Sequence, residues 1–357
     1  MSANRINLFG VGIDPVSRSQ AVALVGEWVR EWRIPNTEYR IPNKKSNSLH
    51  SVFSIQNSVL FPKIITTPNP EIIVAAQNDP EFLKALRSAD LAIPDGIGVV
   101  WALKLLKSNT GSKSNTSNTS KRAAVGCETR ATCVTCDTCV TSLQRLSGLD
   151  LMESLICDLP RTLLQGLSSK ESPLKVMLVG GKPGVAQAAA KILSENSISK
   201  TVKQYHSKTV VGKTVNQYTG SPAYRSTDYR STVSPSHRST VVALSGPHDI
   251  STVSKSENDH LIAQINSLAP DLLFVAFGHG KQEKWLRATR HRLRAGVAMA
   301  VGGALDQIAD PTLRPPIYIN SIGLGWLYRL LRQPWRWKRQ LALLKFVGMV
   351  LQARLKS

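Results

Sequence analysis

The sequence predicts an α/β fold in which a largely parallel sheet carries helices on both faces. Short apolar runs alternate with segments of helical pattern, as in successive β-α-β units. The apolar runs at 64–65, 91–93, 174–179, 272–277 and 297–301 each end in glycines or small polar residues. Because parallel strands end at one edge of a sheet, these loops predict a ligand site at that edge.

The first elements predicted are a strand over residues 6–11 and a helix that opens at Asp14 and ends near Trp32. Gly10 and Gly12 between them resemble part of a dinucleotide-binding loop. The third glycine of that fingerprint is absent, and Asp14 with a following proline occupies the place where the helix should begin. An ordinary strand-to-helix turn is therefore the favoured interpretation.

Asp95 is the leading catalytic candidate. It follows a predicted strand and precedes Gly96 and Gly98, which would let a ligand approach the backbone closely. Thr67 and Asn69 follow the preceding strand in the same way. A carboxylate beside a sugar hydroxyl can act as a general base. A helix N-cap is the alternative role for Asp95.

The three remaining loops are predicted to hold a diphosphate, because glycine-rich loops that lead into helices present backbone amides to anions. Gln282 and Glu283 either orient a substrate or cap a helix, and Arg145 either neutralises phosphate charge or lies on the surface. The loop candidates are Gly180, Gly181, Lys182 and Pro183 in the first, Gly278, Lys281, Gln282 and Glu283 in the second, and Gly302, Gly303 and Asp306 in the third.

Three segments are interpreted as flexible insertions, at residues 34–60, 107–140 and 206–256. They are rich in Asn, Ser and Thr and contain short repeats, such as Tyr-Arg-Ser-Thr at Tyr224 and Tyr229. Such compositions bury too little apolar surface to fold alone. They interrupt a predicted α/β domain that extends over residues 1–313.

Cys133, Cys136 and Cys139 in the second insertion have the CxxCxxC spacing of zinc or iron–sulfur ligands. They lie in the threonine-rich sequence TCVTCDTCVT, with only Cys127 nearby as a fourth ligand. Expansion of a repeat is favoured over a metal site. Five cysteines in a chain of 357 residues do not indicate a disulfide framework.

Residues 314–357 are predicted to form a basic, tryptophan-rich appendage with nine Lys or Arg residues and no acid. Basic residues beside tryptophans and an apolar helical face are typical of a helix that lies on an anionic membrane. Docking of this helix on the domain is the alternative, and nucleic-acid binding is a weaker one. The formal net charge of +21 also indicates an anionic partner, although the insertions supply part of it.

No apolar run in the sequence reaches the roughly 18 residues needed to span a bilayer. The N-terminal sequence MSANRINLFGVGIDP lacks the apolar core and cleavage site of a signal peptide. The expected location is therefore cytoplasmic, with the appendage on the inner face of the cell membrane.

Taken in order, the predicted loops resemble those of the WecG/TagA/CpsF glycosyltransferases. The resemblance covers most of the chain outside the three insertions. The matching blocks are INLFGVGID from Ile6, TPNPE from Thr67, ADLAIPDGIGVVWA from Ala89, RLSGLDL from Arg145, VMLVGGKPGVA from Val176, PDLLFVAFGHGKQEKW from Pro270, VGGALD from Val301 and GLGWLYRLLRQPWRWKRQ from Gly323.

The resemblance implies a Rossmann-like fold and transfer of N-acetylmannosamine, or a related sugar, from a UDP-sugar donor to a polyprenyl-diphosphate-linked sugar acceptor. It implies inversion at the anomeric carbon, no cofactor or required metal, and self-association into homo-oligomers. By the family pattern Asp95 is the base, and Thr67, Asn69, Arg145 and Gln282 hold donor or acceptor. The appendage arginines that match the pattern are Arg329, Arg336 and Arg339, with Arg314 as a further candidate for the membrane or the acceptor diphosphate.

The chain departs from the family pattern in four places. Gly280 replaces a proline, Pro315 replaces an alanine, Gly325 replaces a glutamate, and the insertion at 206–256 falls where the family has a short turn near the donor. A catalytically inactive, nucleotide-sugar-binding relative is therefore the alternative function. A Rossmann dehydrogenase is disfavoured because the glycine fingerprint is incomplete.

Overall fold

A computed structural model describes residues 5–33, 61–107, 145–160, 173–195, 239–247, 249–316, 318–319, 323–334 and 337–356. The insertion predicted at 34–60 lies outside these residues. The insertion predicted at 107–140 does so too, except for its first residue, and the three cysteines of the CxxCxxC motif lie within it.

The centre of the structure is a six-stranded, fully parallel sheet, which confirms the predicted α/β fold. Its strands are β3 (Lys63–Thr66), β4 (Leu91–Ala92), β5 (Lys175–Gly180), β6 (Thr240–Leu244), β7 (Leu272–Ala276) and β8 (Val297–Ala300), in the order β4-β3-β8-β7-β5-β6. A separate antiparallel hairpin, formed by β1 (Ile6–Leu8) and β2 (Val11–Ile13), precedes the sheet.

Helices follow most of the strands, as the sequence pattern predicts. They are α1 (Arg18–Arg33), α2 (Pro70–Gln77), α3 (Pro80–Arg87), α4 (Ile97–Lys107), α5 (Gly148–Cys157), α6 (185–195), α7 (Lys255–Leu268), α8 (Lys281–Thr289), α9 (Ala304–Ala309), α10 (Gly325–Arg332) and α11 (Trp337–Lys356).

Both faces of the sheet are buried, because successive strand residues belong to different apolar clusters. Phe274 in β7 packs in a cluster with α1, α5 and α6. Its neighbour Val275 packs on the opposite face, with Ile262 of α7 and Leu286 of α8. This alternation is the two-residue period of a strand, and it explains why the strands are apolar throughout.

The predicted first strand is corrected by the structure, which folds residues 6–13 into a hairpin. Phe9 and Gly10 have φ values of +52° and +81°, and together they make the turn between β1 and β2. The insertion predicted at 206–256 also has a different boundary, because Thr240–Leu244 forms the edge strand β6 and α7 begins at Lys255. The run TVVAL is rich in β-branched residues, which favour a strand.

The hairpin is tied to the sheet by a buried ion pair. Arg5 donates to both carboxylate oxygens of Asp14, at 3.0 and 2.7 Å, and to the carbonyl oxygens of Ala89 and Asp90. Asp14 is fully buried and accepts a hydrogen bond from the backbone N–H of Ala92 in β4. Asp14 therefore fixes the hairpin against the strand that leads to Asp95, rather than opening α1.

The appendage docks on the domain through one face of α11. Phe346 and Val350 are almost completely buried, in one cluster with Ile72 and Ile73 of α2. The opposite face stays exposed, and its apolar residues are Leu341, Leu344, Val347, Leu351 and Leu355. Within the described residues no helix is both long and apolar enough to cross a membrane.

We expect Phe346→Ala to lower the free energy of unfolding by about 3 kcal/mol, because it removes a buried ring from the contact between α11 and α2. Leu344→Ala is the matched control on the same helix, since Leu344 is 73% exposed. Urea unfolding with limited proteolysis checks both variants. Equal free energies of unfolding for Phe346→Ala and Leu344→Ala would contradict the packing of the Phe346 face of α11 on the domain.

Candidate active site

A cleft of about 450 Å³ opens at the carboxyl edge of the sheet, where the sequence predicts the ligand site. The predicted site residues that line this cleft are Thr67, Asn69, Asp95, Gly181, Lys182, Gly278, Gln282, Gly302, Gly303, Asp306, Arg329 and Arg339. The sheet brings these residues together from five strand ends and from the appendage.

The loops after β3 and β4 position Asp95. The backbone N–H of Asp95 donates to the carbonyl oxygen of Pro68 at 3.0 Å, so the two loops lie side by side. Asn69 caps α2 by accepting a hydrogen bond from the backbone N–H of Ile72. Gly148, at the start of α5, packs so closely on Thr67 that a Cβ atom there would lie 3.0 Å from the Thr67 hydroxyl. The Asp95 carboxyl also accepts a hydrogen bond from the backbone N–H of Gly148, the first residue of α5.

The Asp95 carboxyl is held in an environment that disfavours its charge. Burial raises the pKa of this carboxyl to about 6, although the guanidinium groups of Arg329 and Arg145 lower it, and the nearby Asp150 raises it further. Its side chain is nevertheless partly exposed to the cleft. A carboxyl with a pKa close to neutral that a substrate can reach is suited to accept a proton.

Gln282 and Glu283 form a hydrogen-bonded network in the wall of the cleft. Gln282 accepts a hydrogen bond from the backbone N–H of Gly302 at 3.1 Å and donates to a Glu283 carboxylate oxygen at 2.9 Å. The other oxygen of Glu283 accepts from the backbone N–H of Gly280 at 2.7 Å. Burial raises the pKa of Glu283. Gln282 lines the cleft, whereas Glu283 lies behind it.

Gly280, which replaces a proline of the family pattern, has a backbone conformation and a hydrogen bond that proline could not have. Its φ of +81° is outside the range of proline, and its N–H makes the bond to Glu283 that proline could not make. The loop therefore begins α8 with a glycine-specific backbone.

The appendage forms the cationic side of the cleft. Arg329 lies in α10, near enough to Asp95 to lower its pKa, and Arg339 lies in the first turns of α11. The Nε atom of Arg329 is buried and has no hydrogen-bond partner among the described residues. Guanidinium groups bind phosphate oxygens in a planar, two-point geometry. This side of the cleft is therefore suited to an anionic group.

Several predicted site residues do not line the cleft. Lys281 pairs with Asp249, and Arg314 pairs with Glu153 of α5. Gly98 packs against Pro70, where a Cβ atom would lie 2.8 Å from the ring. Gly96, Gly180, Pro183 and Glu283 are not among the lining residues, Arg145 acts on Asp95 by its charge, and Arg336 lies outside the described residues.

Six polar residues of the cleft lining were not predicted as site residues, namely Glu71, Ser147, His279, Gln307, Arg332 and Gln333. Ser147 caps α5, which begins at Gly148, and His279 lies in the loop that leads into α8. Arg332 lies one helical turn after Arg329, with its guanidinium carbon 5.6 Å from the centre of the Tyr328 ring. Gln333 follows directly. Their proximity to predicted residues is the signal that could have identified them.

No group of three or more His, Cys, Asp or Glu side chains that could hold a metal ion occurs among the residues that the structure describes. The candidate site combines the carboxyls of Asp95, Asp306 and Glu71 with the network around Gln282, the glycine-rich loops and the appendage arginines.

The fold and the cleft define an α/β protein with a candidate ligand site at the carboxyl edge of its sheet, and comparison with known proteins identifies its family. The model of the glycosyl transferase WecG/TagA/CpsF family matches residues 45–134 and 228–357, and the chain belongs to this family. This confirms the resemblance drawn from the sequence blocks.

Two curated relatives carry the same name, N-acetylglucosaminyldiphosphoundecaprenol N-acetyl-beta-D-mannosaminyltransferase. The protein from Bacillus subtilis strain 168 is 25% identical over 319 residues, which cover 88% of this chain and 91% of the relative. The protein from Bacillus spizizenii strain W23 is 25% identical over 304 residues, covering 85% and 83%.

The raised pKa of Asp95 predicts an unusual pH dependence of stability. Because the folded carboxyl binds its proton more tightly than the unfolded one, its contribution to stability is lost as the pH rises from about 4 to about 6. Asp95→Asn removes the burial of a charge, so we expect it to raise the free energy of unfolding by about 2 kcal/mol at pH 7.5. At pH 4 we expect little difference.

Denaturant unfolding at the two pH values measures this effect. Asp158→Asn, at the residue that follows α5, is the control, since the Asp158 side chain is 48% exposed. A lower stability of Asp95→Asn at pH 7.5 would contradict the proposed environment of Asp95.

Proposed function

We propose that this glycosyltransferase moves N-acetylmannosamine, or a related sugar, from a UDP-sugar to a polyprenyl-diphosphate-linked N-acetylglucosamine. Such a product would serve the synthesis of a cell-surface polysaccharide or teichoic acid. The activity for which the two relatives are named supports the donor sugar and the acceptor. The observation that carries the proposal is the Asp95 carboxyl, partly exposed to the cleft and flanked by Arg329 and Arg145.

In the proposed mechanism Asp95 takes the proton from a hydroxyl group of the acceptor sugar. The hydroxyl oxygen then forms a bond to the anomeric carbon of the donor, and the bond from that carbon to the UDP oxygen breaks. Attack from the side opposite UDP inverts the anomeric centre. A carboxyl with a pKa of about 6 is largely ionised at neutral pH and still basic enough to assist this step.

The strand order supports a division of the cleft between donor and acceptor. Asp95 follows β4 and Gly181 follows β5, four strands away. At about 4.8 Å per strand these ends are about 19 Å apart, enough for a nucleotide sugar and an acceptor sugar. The donor diphosphate is assigned to the side of Gly181, Lys182 and Gly278, because the leaving group must lie opposite the attacking hydroxyl.

The acceptor diphosphate is assigned to the appendage side, where Arg329, Arg332 and Arg339 line the cleft. The proposed mechanism requires no metal ion, because Lys182 and the backbone amides of the glycine-rich loops on the donor side stabilise the departing UDP. A catalytically inactive, nucleotide-sugar-binding relative is the alternative function. The insertion before β6 favours this alternative, because it falls where the family has a short turn near the donor.

We further propose that the exposed face of α11 rests on the anionic inner surface of the cell membrane. Leu344 and Leu351 are 73% and 47% exposed, and Lys345 and Lys356 on the same helix are exposed cations. An apolar face with cations beside it is how a helix lies in a lipid interface. The lipid part of the acceptor would then reach the cleft from the membrane.

We expect Asp95→Asn to reduce acceptor-dependent UDP release by at least about 1000-fold, because it removes the proton acceptor. UDP affinity should stay within about twofold, since Asp95 lies on the acceptor side. The rate of the unmodified enzyme should rise with pH, with a midpoint near 6, as Asp95 ionises.

The assay uses purified protein with UDP-N-acetylmannosamine, with and without a polyprenyl-diphosphate-N-acetylglucosamine acceptor. Normal turnover by Asp95→Asn would remove Asp95 from the role of base. UDP binding by the unmodified chain without any transfer, across a panel of nucleotide sugars, would favour the inactive relative.

The double substitution Leu344→Glu with Leu351→Glu tests the membrane proposal without disturbing the buried face of α11. Truncation at residue 315 would be less informative, because it also removes Phe346 and Val350 from the core. We expect the double variant to lose most of its co-sedimentation with anionic vesicles and to keep its thermal stability. Sedimentation equal to that of the unmodified chain would contradict the membrane role of this face.

A further inference from the structure

Glu283 is a buried carboxylate that the proposed mechanism does not use. It is 3% exposed and lies behind Gln282, so it is separated from the contents of the cleft. Its two oxygens accept hydrogen bonds from the Gly280 backbone and from the Gln282 carboxamide, at 2.7 and 2.9 Å. The prediction that Glu283 binds substrate directly therefore has no support in its position.

Gln282 is held from both sides. The backbone N–H of Gly302 can only donate, and it meets the carboxamide oxygen at 3.1 Å. Both Glu283 oxygens accept in this network, one from the Gly280 N–H and the other from the carboxamide nitrogen of Gln282, so Glu283 faces that nitrogen. These two partners together determine which way the carboxamide points. Its nitrogen carries two N–H groups, and one of them is used by Glu283.

We propose that Glu283 is a positioning residue that orients the Gln282 carboxamide, so that the second N–H group is presented to a substrate oxygen in the cleft. The inference rests on the proposed function, because the activity measurement that tests it uses the proposed transfer reaction. It deepens the proposed function, because Glu283 would set the orientation of Gln282 without touching the substrate itself.

A carboxylate is needed at this position because both of its neighbours are donors. In Glu283→Gln the new carboxamide must turn an N–H group towards either Gly280 or Gln282. If Gln282 rotated to avoid this clash, its own nitrogen would meet the N–H of Gly302. A hydrogen bond is therefore lost somewhere along the network, although the side chain keeps its size.

The chain contains a matched control in another helix. Glu257 holds the same position in α7 as Glu283 in α8, the third residue after the N-cap, and it accepts a hydrogen bond from the backbone N–H of Ser254 at 3.0 Å. Glu257 is exposed and does not line the cleft. Glu257→Gln therefore measures the effect of weakening a helix cap alone.

We expect Glu283→Gln to lower kcat by about tenfold, whereas Glu257→Gln should leave it unchanged. Glu283→Gln should also speed hydrogen exchange at the Gly302 backbone by about tenfold, because this N–H donates to the carboxamide that Glu283 orients. The exchange measurement does not depend on transfer activity.

A double-mutant cycle separates positioning from structural support. If Glu283 acts through Gln282, then Glu283→Gln should cost no further activity in a Gln282→Ala background. Additive losses in kcat, or unchanged exchange at Gly302, would overturn the inference. Absence of transfer by the unmodified chain would overturn the proposed function instead, and the exchange at Gly302 would still decide the role of Glu283.

Discussion

Parallel hydrogen bonding of β3 to both β4 and β8 is the constraint on which the candidate site depends. Ile65 is in register with Leu91 on one side and with Met299 on the other. This register brings the residues that follow the three strands level with one another, so Thr67, Asp95 and Gly302 meet in one cleft. The apolar side chains on both faces hold the register, because a slip by one residue would exchange the two buried faces.

The pKa of Asp95 depends on how the elements around the carboxyl edge of the sheet bury this residue. Burial beneath α5 and the appendage raises the pKa of Asp95, and two arginines keep it from rising further. The carboxyl can therefore change its protonation state near neutral pH. A more exposed carboxyl would be a weaker base, and a fully buried one without cations would stay protonated.

The appendage links the membrane proposal to the chemistry. One face of α11 packs on the domain through Phe346 and Val350, and the same helix contributes Arg339 to the cleft. Its other face carries the exposed leucines. A helix that contacts the core, the cleft and the proposed lipid surface would couple the arrival of a lipid-linked acceptor to the completion of the site. The Arg332 side chain, over the Tyr328 ring, extends that cationic side by one helical turn.

The sequence by itself determined the alternation of strands and helices, the strand ends that carry the candidate site, and the family. These features depend on local periodicity and on residues close together in the chain. The sequence pattern did not predict the hairpin turn at Phe9 or the edge strand β6. The strands on either side of Phe9 are only three residues long, and the β6 run lies within the insertion predicted at 206–256.

Only the tertiary structure decided which polar residues face the cleft. Arg314 pairs with Glu153 and Lys281 pairs with Asp249, while Arg332 enters the cleft. The partner of a charged side chain is set by distances between elements that are far apart in sequence. No local pattern distinguishes a lysine that meets a carboxylate from one that meets a substrate. The sequence likewise left Glu283 as either a substrate-orienting residue or a helix cap, and in the fold it accepts from the N-cap Gly280 and lies behind Gln282.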